Sequence, residues 1–517
     1  MTLSRLYQQA LKQAPESTAL RIDSQSCTYR ELDRRVQEYA KALVKLGVRQ
    51  GDRVGLFMPN CLEIVYCYFA CFRLGAIAVP SSYYSRRKEL LYEVGLCKTR
   101  IYIAHRSMEG EIRDLERETD SLKQIFYLSH SSKGDALDDS WEELVATARE
   151  ITLPEIQTLA HDPAAIFYTS GSTGRPKGVT HTHGSLFHAA SNRCRTFDHT
   201  ADHVFMTTSY LCHCAAPTIL LLPMLLAGGT AVFMSHFTSG DFLGALSNQQ
   251  VTHAAASPSQ WREFTDLVLK ETVTFPSLIY ATSGGSAVPL SLQDDFFAAT
   301  GVELTASMGM TECGGYMTVP PNVEQRRGSL GRPAYDTMVR LVDDRYQDVA
   351  AGETGQMLVK SPSVMKKYWK DPQSTAAAFE DGWFITGDLA RQDKDGYFFF
   401  MGRCKNTIIR DSGNISPEEV EDALGRHPDV RQAIVTGVPD PVYEQAVFAF
   451  IQPLDPTAPP STEELDAFLA GQLAARKIPQ FYHIIDDFQV KGLLEKIDRK
   501  VLQELACKIR QGIEKTN

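Results

Sequence analysis

The feature that most constrains this chain is an alternation, sustained over about its first four hundred residues, between helical and strand-like apolar periods. In residues 29–46, Leu32, Val36, Tyr39, Leu43 and Leu46 recur at helical spacing. Arg53-Val-Gly-Leu-Phe-Met58 then reads as a buried strand, and residues 62–74 as an apolar helix. Ala76-Ile-Ala-Val-Pro80 and Ile101-Tyr-Ile-Ala104 read as strands again. The rhythm resumes at Ala164-Ala-Ile-Phe-Tyr168, Val204-Phe-Met-Thr207, Thr230-Ala-Val-Phe233, Thr252-His-Ala-Ala-Ala256 and Leu278-Ile-Tyr-Ala281, with helical patterns between. Such alternation implies an α/β fold whose layers are built on largely parallel sheets.

After about Gly328 the texture changes to short strands punctuated by Asp-Gly and Gly-Glu turns, as in Met338-Val-Arg-Leu-Val342, Gly355-Gln-Met-Leu-Val-Lys360 and Gly396-Tyr-Phe-Phe-Phe-Met401. A polar, Gly-bearing stretch at 402–413 precedes a compact α+β pattern, in which Ser461-x-x-Glu464 is a capping box that starts a helix. The expected organisation is a large unit over 1–402 with a β-rich subdomain at about 328–402, a linker at 403–406, and a smaller unit over 407–517. A length of 517 residues accommodates this.

Composition excludes several classes. With 43% hydrophobic and 22% charged residues the chain is neither disordered nor fibrous. A formal charge of −10 argues against a nucleic-acid partner. Eleven cysteines without a regular framework, and an N-terminus without a signal-peptide core, fit a reducing, cytoplasmic setting. The uncharged stretch 216–234 contains Pro223 and Gly228-Gly229, so it reads as a buried helix followed by a buried strand and not as a membrane span.

The most informative segment is Tyr168-Thr-Ser-Gly-Ser-Thr-Gly-Arg-Pro-Lys-Gly-Val179. An apolar strand runs into hydroxyls, glycines and a lysine. Glycines let successive backbone N–H groups turn toward one anion, hydroxyls add donors, and Lys177 brings a mobile positive charge for a polyphosphate. A flexible surface turn is the plain alternative, but it would not ordinarily follow a wholly apolar strand with a lysine so placed. The neighbours of Lys177 are Pro176 and Gly178, so this is not a Walker P-loop.

The run YTSGSTGRPKGVTHTH resembles the signature loop of the adenylate-forming superfamily, which includes acyl-CoA and aryl-CoA synthetases, luciferases and peptide-synthetase adenylation domains. Further matches follow in that family's order. The resemblance implies layered α/β sheets with a small β-barrel-like subdomain and a small mobile α+β C-terminal domain. It implies ATP contacts from Thr169, Ser170, Gly171, Ser172, Thr173, Gly174 and Lys177 in the loop. Ser283-Gly-Gly-Ser286, with Gly284 and Gly285, resembles the adenine-side glycine turn. In Ser307-Met-Gly-Met-Thr-Glu312 (Ser307, Met308, Gly309, Met310), Thr311 would touch the α-phosphate and Glu312 would hold Mg²⁺. Asp388 of Thr386-Gly-Asp388 and Arg403 of Gly402-Arg-Cys-Lys405 would meet the ribose, with Lys405 as hinge. Lys496 would contact the reacting carboxylate and α-phosphate. His213, Ala215, Ala256, Met308 and Tyr316 would line the acyl pocket.

Each of these residues has a plainer reading. A single Glu is usually a solvated carboxylate, Thr-Gly-Asp is a common turn, and Lys496 lies in a lysine-rich tail. The triplet Cys212-His213-Cys214 invites a zinc site, but adjacent residues seldom point at one ion, and no CxxC or HxxxH pair is read as completing four ligands. Three departures from the family pattern stand out: Met308 replaces an aromatic, Asp411-Ser-Gly413 displaces a glycine, and Gly492-Leu-Leu-Glu495 replaces a hydroxyl- and glycine-rich turn before Lys496.

The expected chemistry is attack of a small-molecule carboxylate on the α-phosphorus of ATP, giving acyl-AMP and pyrophosphate, then displacement of AMP by the thiol of CoA. The alternatives are a stand-alone enzyme that loads the phosphopantetheine thiol of an acyl carrier protein, and a nucleotide- or acyl-binding protein that has lost catalysis, as the loop 492–495 would allow. Amino-acid adenylation fits less well, since residues 210–217 contain no carboxylate for an ammonium. A CoA enzyme needs basic contacts for the 3′-phosphate, for which Arg476-Lys477 is a candidate.

Overall fold

The computed structural model describes residues 1–128, 140–169, 176–248, 250–270, 273–318, 326–410, 413–440, 442–488, 490–491 and 496–516, with the backbone alone at 413–414, 490–491, 496 and 511–516. Two large mixed sheets dominate. In the first, strands Leu304–Met310, Tyr280–Ser283, His253–Ala256, Val204–Thr207, Thr230–Phe233 and Thr18–Ile22 lie side by side and parallel, with antiparallel strands at both edges. In the second, Pro163–Thr169, Ile77–Pro80, Arg53–Phe57, Ile101–His105 and Gln124–Leu128 are parallel, and Lys177–Thr182 and Lys367–Tyr368 extend the edge antiparallel.

Helix Leu62–Leu74 explains how the sheets are held together. Every residue in it except Glu63 and Arg73 is buried, as expected of a helix that is apolar all round and packed on several sides. It shares one core with Leu20 and Ala231 of the first sheet and Val54 and Leu56 of the second. Gly75, at φ +62°, ends it in the left-handed conformation that glycine adopts without a Cβ penalty. Helix Tyr29–Lys45 begins with a capping box between Thr28 and Glu31. The uncharged stretch forms a π-helical turn at Pro217–Leu221 and helix Leu222–Ala227, ends at Gly228, and continues as the buried strand Thr230–Phe233. Among the described residues no helix is long and apolar enough to cross a membrane.

Strands Met338–Val342, Thr354–Lys360, Trp383–Gln392 and Phe398–Arg403 form a third, antiparallel sheet that packs with Tyr316, Met317 and Val179. A 3₁₀ turn, Cys404–Asn406, follows directly. Beyond it lies another sheet, centred on the long pair Val430–Asp440 and Glu444–Pro453. Strand Glu444–Pro453 is apolar on both faces. Val447, Ala449 and Ile451 face a core with Val420 and Leu465, while Phe448 and Phe450 face Leu502 and Ala506. Each layer is closed by a helix, Pro417–Leu424 on one side and Arg499–Thr516 on the other.

A half-buried ion pair joins those two helices. Arg499 donates from both terminal nitrogens to Glu421, at 2.6 Å each, and from Nη1 to the carbonyl of Val435 at 3.1 Å. Burial pushes the Glu421 carboxyl up, and Arg499 opposes that shift. Removing one partner of such a pair leaves the other charge with less compensation, so Arg499→Ala should cost about 1.5–3 kcal/mol in urea unfolding followed by far-UV circular dichroism. A loss below about 1 kcal/mol would show that the fork is not what anchors the last helix.

Candidate active site

The phosphate-loop segment is a hairpin connection. Strand Pro163–Thr169 turns back into strand Lys177–Thr182, with Thr169 and Lys177 as register partners. Ser170, Gly171, Ser172, Thr173 and Gly174 lie outside the described residues. The second strand of this hairpin and its continuation into helix His183–Phe197 were not legible in the sequence, because KGVTHT lacks a clean period of two.

Tyr368 draws the charged groups together, and no motif pointed to it. Strand Lys367–Tyr368 adds to the hairpin edge, pairing Tyr368 with Val179. The Tyr368 hydroxyl donates to Glu312 Oε1 at 2.9 Å, and the Lys177 ammonium lies 4.7 Å from the centre of its ring. Glu312 is buried, and desolvation raises its pKa, while the Tyr368 hydrogen bond and the charges of Lys177 and Arg403 act to lower it. Its backbone is held as well, since its carbonyl accepts from the Met365 N–H at 2.6 Å.

The preceding carbonyl, that of Thr311, is fixed by His181. Nε2 of His181 lies 2.7 Å from it and must carry the proton, while Nδ1 faces Ser185 Oγ at 3.1 Å. Burial lowers His181 to about 4, so it stays neutral at pH 7. The Cys214 thiol donates to the same oxygen at 3.6 Å, which accounts for one cysteine of the Cys-His-Cys triplet without a metal. Nδ1 of the half-buried His213 accepts from the Ala215 N–H at 3.3 Å.

Two glycines are required by close approach. A Cβ on Gly309 would sit 2.7 Å from the Gly314 carbonyl oxygen, where strands Leu304–Met310 and Gly314–Thr318 shift register. A Cβ on Gly284 would sit 2.7 Å from the carbonyl oxygen of Ser307. The glycine turn and the Ser307-to-Met310 segment therefore touch through their backbones, with Gly285 and Ser286 exposed and Met308 and Met310 half-buried. Ala256 is beside them, its carbonyl accepting from Ser283 Oγ at 3.2 Å.

Asp388 and Arg403 are register partners on neighbouring strands, and Arg403 Nε meets Asp388 Oδ1 at 2.9 Å. The carboxylate is nearly inaccessible while the guanidinium is 41% exposed, so the pair presents its donor side to solvent. Tyr316, expected in the acyl pocket, is placed differently. Its ring is fully buried with Met317 and Val179, and its hydroxyl donates to Asp388 Oδ2 at 3.4 Å. Trp261, on the helix that follows Ala256, is likewise a core residue, donating from Nε1 to the Thr282 carbonyl at 2.9 Å.

Lys405 is exposed in the 3₁₀ turn. The backbone of Lys496 opens the short strand Lys496–Ile497, paired with Val490–Lys491. The departures at 411–412 and 492–495 fall outside the described residues. Lys477, considered for a CoA phosphate, is already engaged by both oxygens of Glu419 at 2.5 and 2.7 Å.

The raised pKa of Glu312 has a consequence for stability. Its folded-state pKa lies above that of the unfolded chain, so its contribution is most favourable below the ordinary carboxylate value of 4.5 and is lost as pH rises through the raised folded value. Glu312→Gln keeps an acceptor for Tyr368 and removes that loss. The variant should be more stable than the parent at pH 7 and equal or weaker at pH 4, read from urea midpoints. A variant less stable than the parent at pH 7 would contradict the account of a strained carboxylate.

Known proteins share this arrangement. The family model described as AMP-binding enzyme matches residues 7–369, and that of the AMP-binding enzyme C-terminal domain matches residues 419–492. A feruloyl-CoA synthase from Amycolatopsis sp is 33% identical over 486 residues, covering 93% of this chain and 94% of the relative. An indoleacetate–CoA ligase from Aromatoleum aromaticum is 30% identical over 500 residues, covering 96% of each. Among solved structures, the anthranilate CoA ligase AuaEII in complex with anthranoyl-AMP superposes with a TM-score of 0.90 at 25% identity, covering 99% of this chain and 98% of that one. ATP-bound MatB from Rhodopseudomonas palustris gives 0.89 at 25% identity, covering 98% and 100%. With matches that run nearly end to end and two family models in the expected order, the chain belongs to the adenylate-forming AMP-binding enzymes and is an AMP-forming acid–thiol ligase.

Proposed function

We propose that the chain activates an aromatic carboxylic acid with ATP and Mg²⁺ and transfers the acyl group to CoA. The observation that carries this reading is the cluster of Glu312, Tyr368 and Lys177, with the Asp388–Arg403 pair near enough for the Arg403 charge to act on Glu312. It combines one metal-binding carboxylate, one phosphate-facing cation and one carboxylate–guanidinium pair. Displacement at phosphorus needs positioning and charge neutralisation more than acid–base chemistry, and these groups provide it.

Asp388 and Arg403 would hold the ribose hydroxyls. Thr169 and Lys177, at the two ends of the hairpin, would flank the polyphosphate with residues 170–174 between them. The Gly284-to-Ser286 turn and Ser307 to Met310 would face the adenine, with Met308 packing as a thioether where an aromatic face is usual. Thr311 would donate to the α-phosphate, oriented by the His181 contact to its carbonyl. A buried carboxylate opposite a lysine suits a hard cation, so Glu312 would hold Mg²⁺ together with phosphate oxygens, the ion supplying charge neutralisation there. His213, Ala215, Ala256 and Met308 would line the acyl pocket, with Tyr316 acting instead beneath Asp388.

An aromatic acid is favoured by the relatives at 33% and 30% identity, named for ferulate and indoleacetate, and by the anthranilate ligase structure, while relatives at 29% identity are named for crotonobetaine and carnitine. It is favoured too by the stacked Tyr83 and Tyr210 rings, 5.6 Å apart, on the segment that leads to His213, whose N–H donates to the Tyr210 carbonyl. CoA is favoured over a carrier protein because those relatives are CoA ligases. We further propose that residues 407–517 rotate about Lys405 between half-reactions, bringing Lys496 to the reacting carboxylate only for the first.

Pyrophosphate release from ATP and Mg²⁺, without thiol, should occur with ferulate, indoleacetate or anthranilate and not with matched aliphatic acids. Adding CoA should then yield the thioester and AMP. Silence across the panel with ATP binding intact would overturn the adenylation reading, and a strict preference for aliphatic acids would overturn the substrate class. Lys496→Ala should lose pyrophosphate release by more than about 100-fold while still converting supplied acyl-AMP and CoA to thioester. Equal loss of both half-reactions would remove its assigned role.

A further inference from the structure

Three histidines converge far from the groups described above. His199 and His203 lie in the connection between helix His183–Phe197 and strand Val204–Thr207, and His253 opens the neighbouring strand His253–Ala256. One ligand-capable atom from each lies within 4.8 Å of the other two. Their ring centres are 5.6, 5.0 and 4.6 Å apart. The Nδ1 atoms are engaged locally, those of His199 and His203 lying 3.4 Å apart, that of His203 accepting from the Thr200 N–H at 3.3 Å and that of His253 lying 2.9 Å from Thr252 Oγ1, so Nε2 is the ligand atom each ring would offer.

These spacings match a metal centre. Three imidazoles bound tetrahedrally at about 2.0–2.1 Å put their ring centres about 5 Å apart. Packing of aromatic rings in a core is the plain alternative, and His199 does stack on Phe197 with centroids 5.5 Å apart. Packing leaves something unexplained, however. Nε2 of His199 and Nε2 of His253 are buried and have no hydrogen-bond partner among the described residues, although His253 is fully buried and His199 is 9% exposed. Buried ring nitrogens are ordinarily satisfied. Burial also keeps the rings in the neutral form that binds metals, lowering His253 to about 3 and His199 to about 2, with the remaining histidines and Arg193 adding to the effect.

We propose that His199, His203 and His253 form a three-imidazole site for a divalent ion of the zinc class at the amino-terminal ends of the parallel strands. The donor set is all nitrogen, which suits zinc, cobalt(II), nickel(II) or copper(II) and not magnesium or calcium. His203 is the partly exposed member of the three, and the Asp202 carboxylate acts on its ring. Arg193, whose guanidinium lies 3.7 Å from the Phe197 ring centre, is the opposing charge and limits the affinity. The glycine turn after strand Tyr280–Ser283 leaves the carboxyl end of the same sheet, so the histidine site is at the opposite end. Its role is to tie the 198–203 connection to the sheet, independently of which acid the enzyme takes. The His-x₃-His spacing is visible in the sequence, but its third partner comes from fifty residues onward and only strand pairing brings it in.

The test is titration of the full chain, stripped with chelator and exchanged, with cobalt(II) and then zinc. One equivalent of cobalt should give the visible absorption of a tetrahedral nitrogen site, zinc should displace it, and zinc should raise the melting temperature. His203→Ala, at a partly exposed position, should weaken cobalt binding at least about tenfold and abolish the melting shift, while His161→Ala at an exposed position should change neither. His253→Asn should behave as His203→Ala does. Absence of the visible band in the parent, or a band and affinity that survive in His203→Ala, would overturn the proposal.

Discussion

A carboxylate removed from water must be compensated, and much of the architecture around Glu312 follows from that requirement. The compensation comes from separate parts of the chain: a hydroxyl from Tyr368, and the charges of Lys177 on the hairpin and Arg403 at the end of the third sheet. Each arrives through strand pairing. Lys367–Tyr368 reaches the site by adding to the edge of the second sheet, and Arg403 reaches it as the register partner of Asp388. The site is thus a place where the first, second and third sheets meet around one carboxylate. A carboxylate strained in this way fits the place proposed for a cation and a polyphosphate.

The same logic separates groups that touch substrates from groups that position them. His181 is buried, neutral and bonded to a backbone carbonyl, so it orients Thr311 without taking part in chemistry. Tyr316 works in the same way beneath Asp388. Polar contacts join the large unit to the C-terminal sheet among the described residues. Gly402 leaves no room for a Cβ against Glu418, and Arg431 meets Asp266 at 3.7 Å. Within the C-terminal unit, by contrast, the Arg499–Glu421 fork and two apolar faces on one strand make a rigid body. Stiffness inside the unit suits the rotation about Lys405 that we propose.

The amino-acid sequence by itself determined the layered α/β class, the buried helix 62–74, the helix-and-strand reading of 216–234, the change of texture after Gly328 and the order of the motifs. These are local properties, carried by apolar period, capping residues and glycine placement, and they survive without knowledge of what each segment packs against. Thr169 and Lys177 stand out by the composition of their loop, whereas Glu312, Asp388 and Arg403 were named only through the resemblance of their motifs to those of the family. Tertiary structure alone decided that Tyr368 bridges Glu312 and Lys177, that the buried Tyr316 reaches Asp388, that Lys477 is taken by Glu419, and that His253 joins His199 and His203. The physical reason is common to all of them. Each contact joins residues on different strands or helices, and register and sheet order, which no local pattern encodes, set which side chains meet.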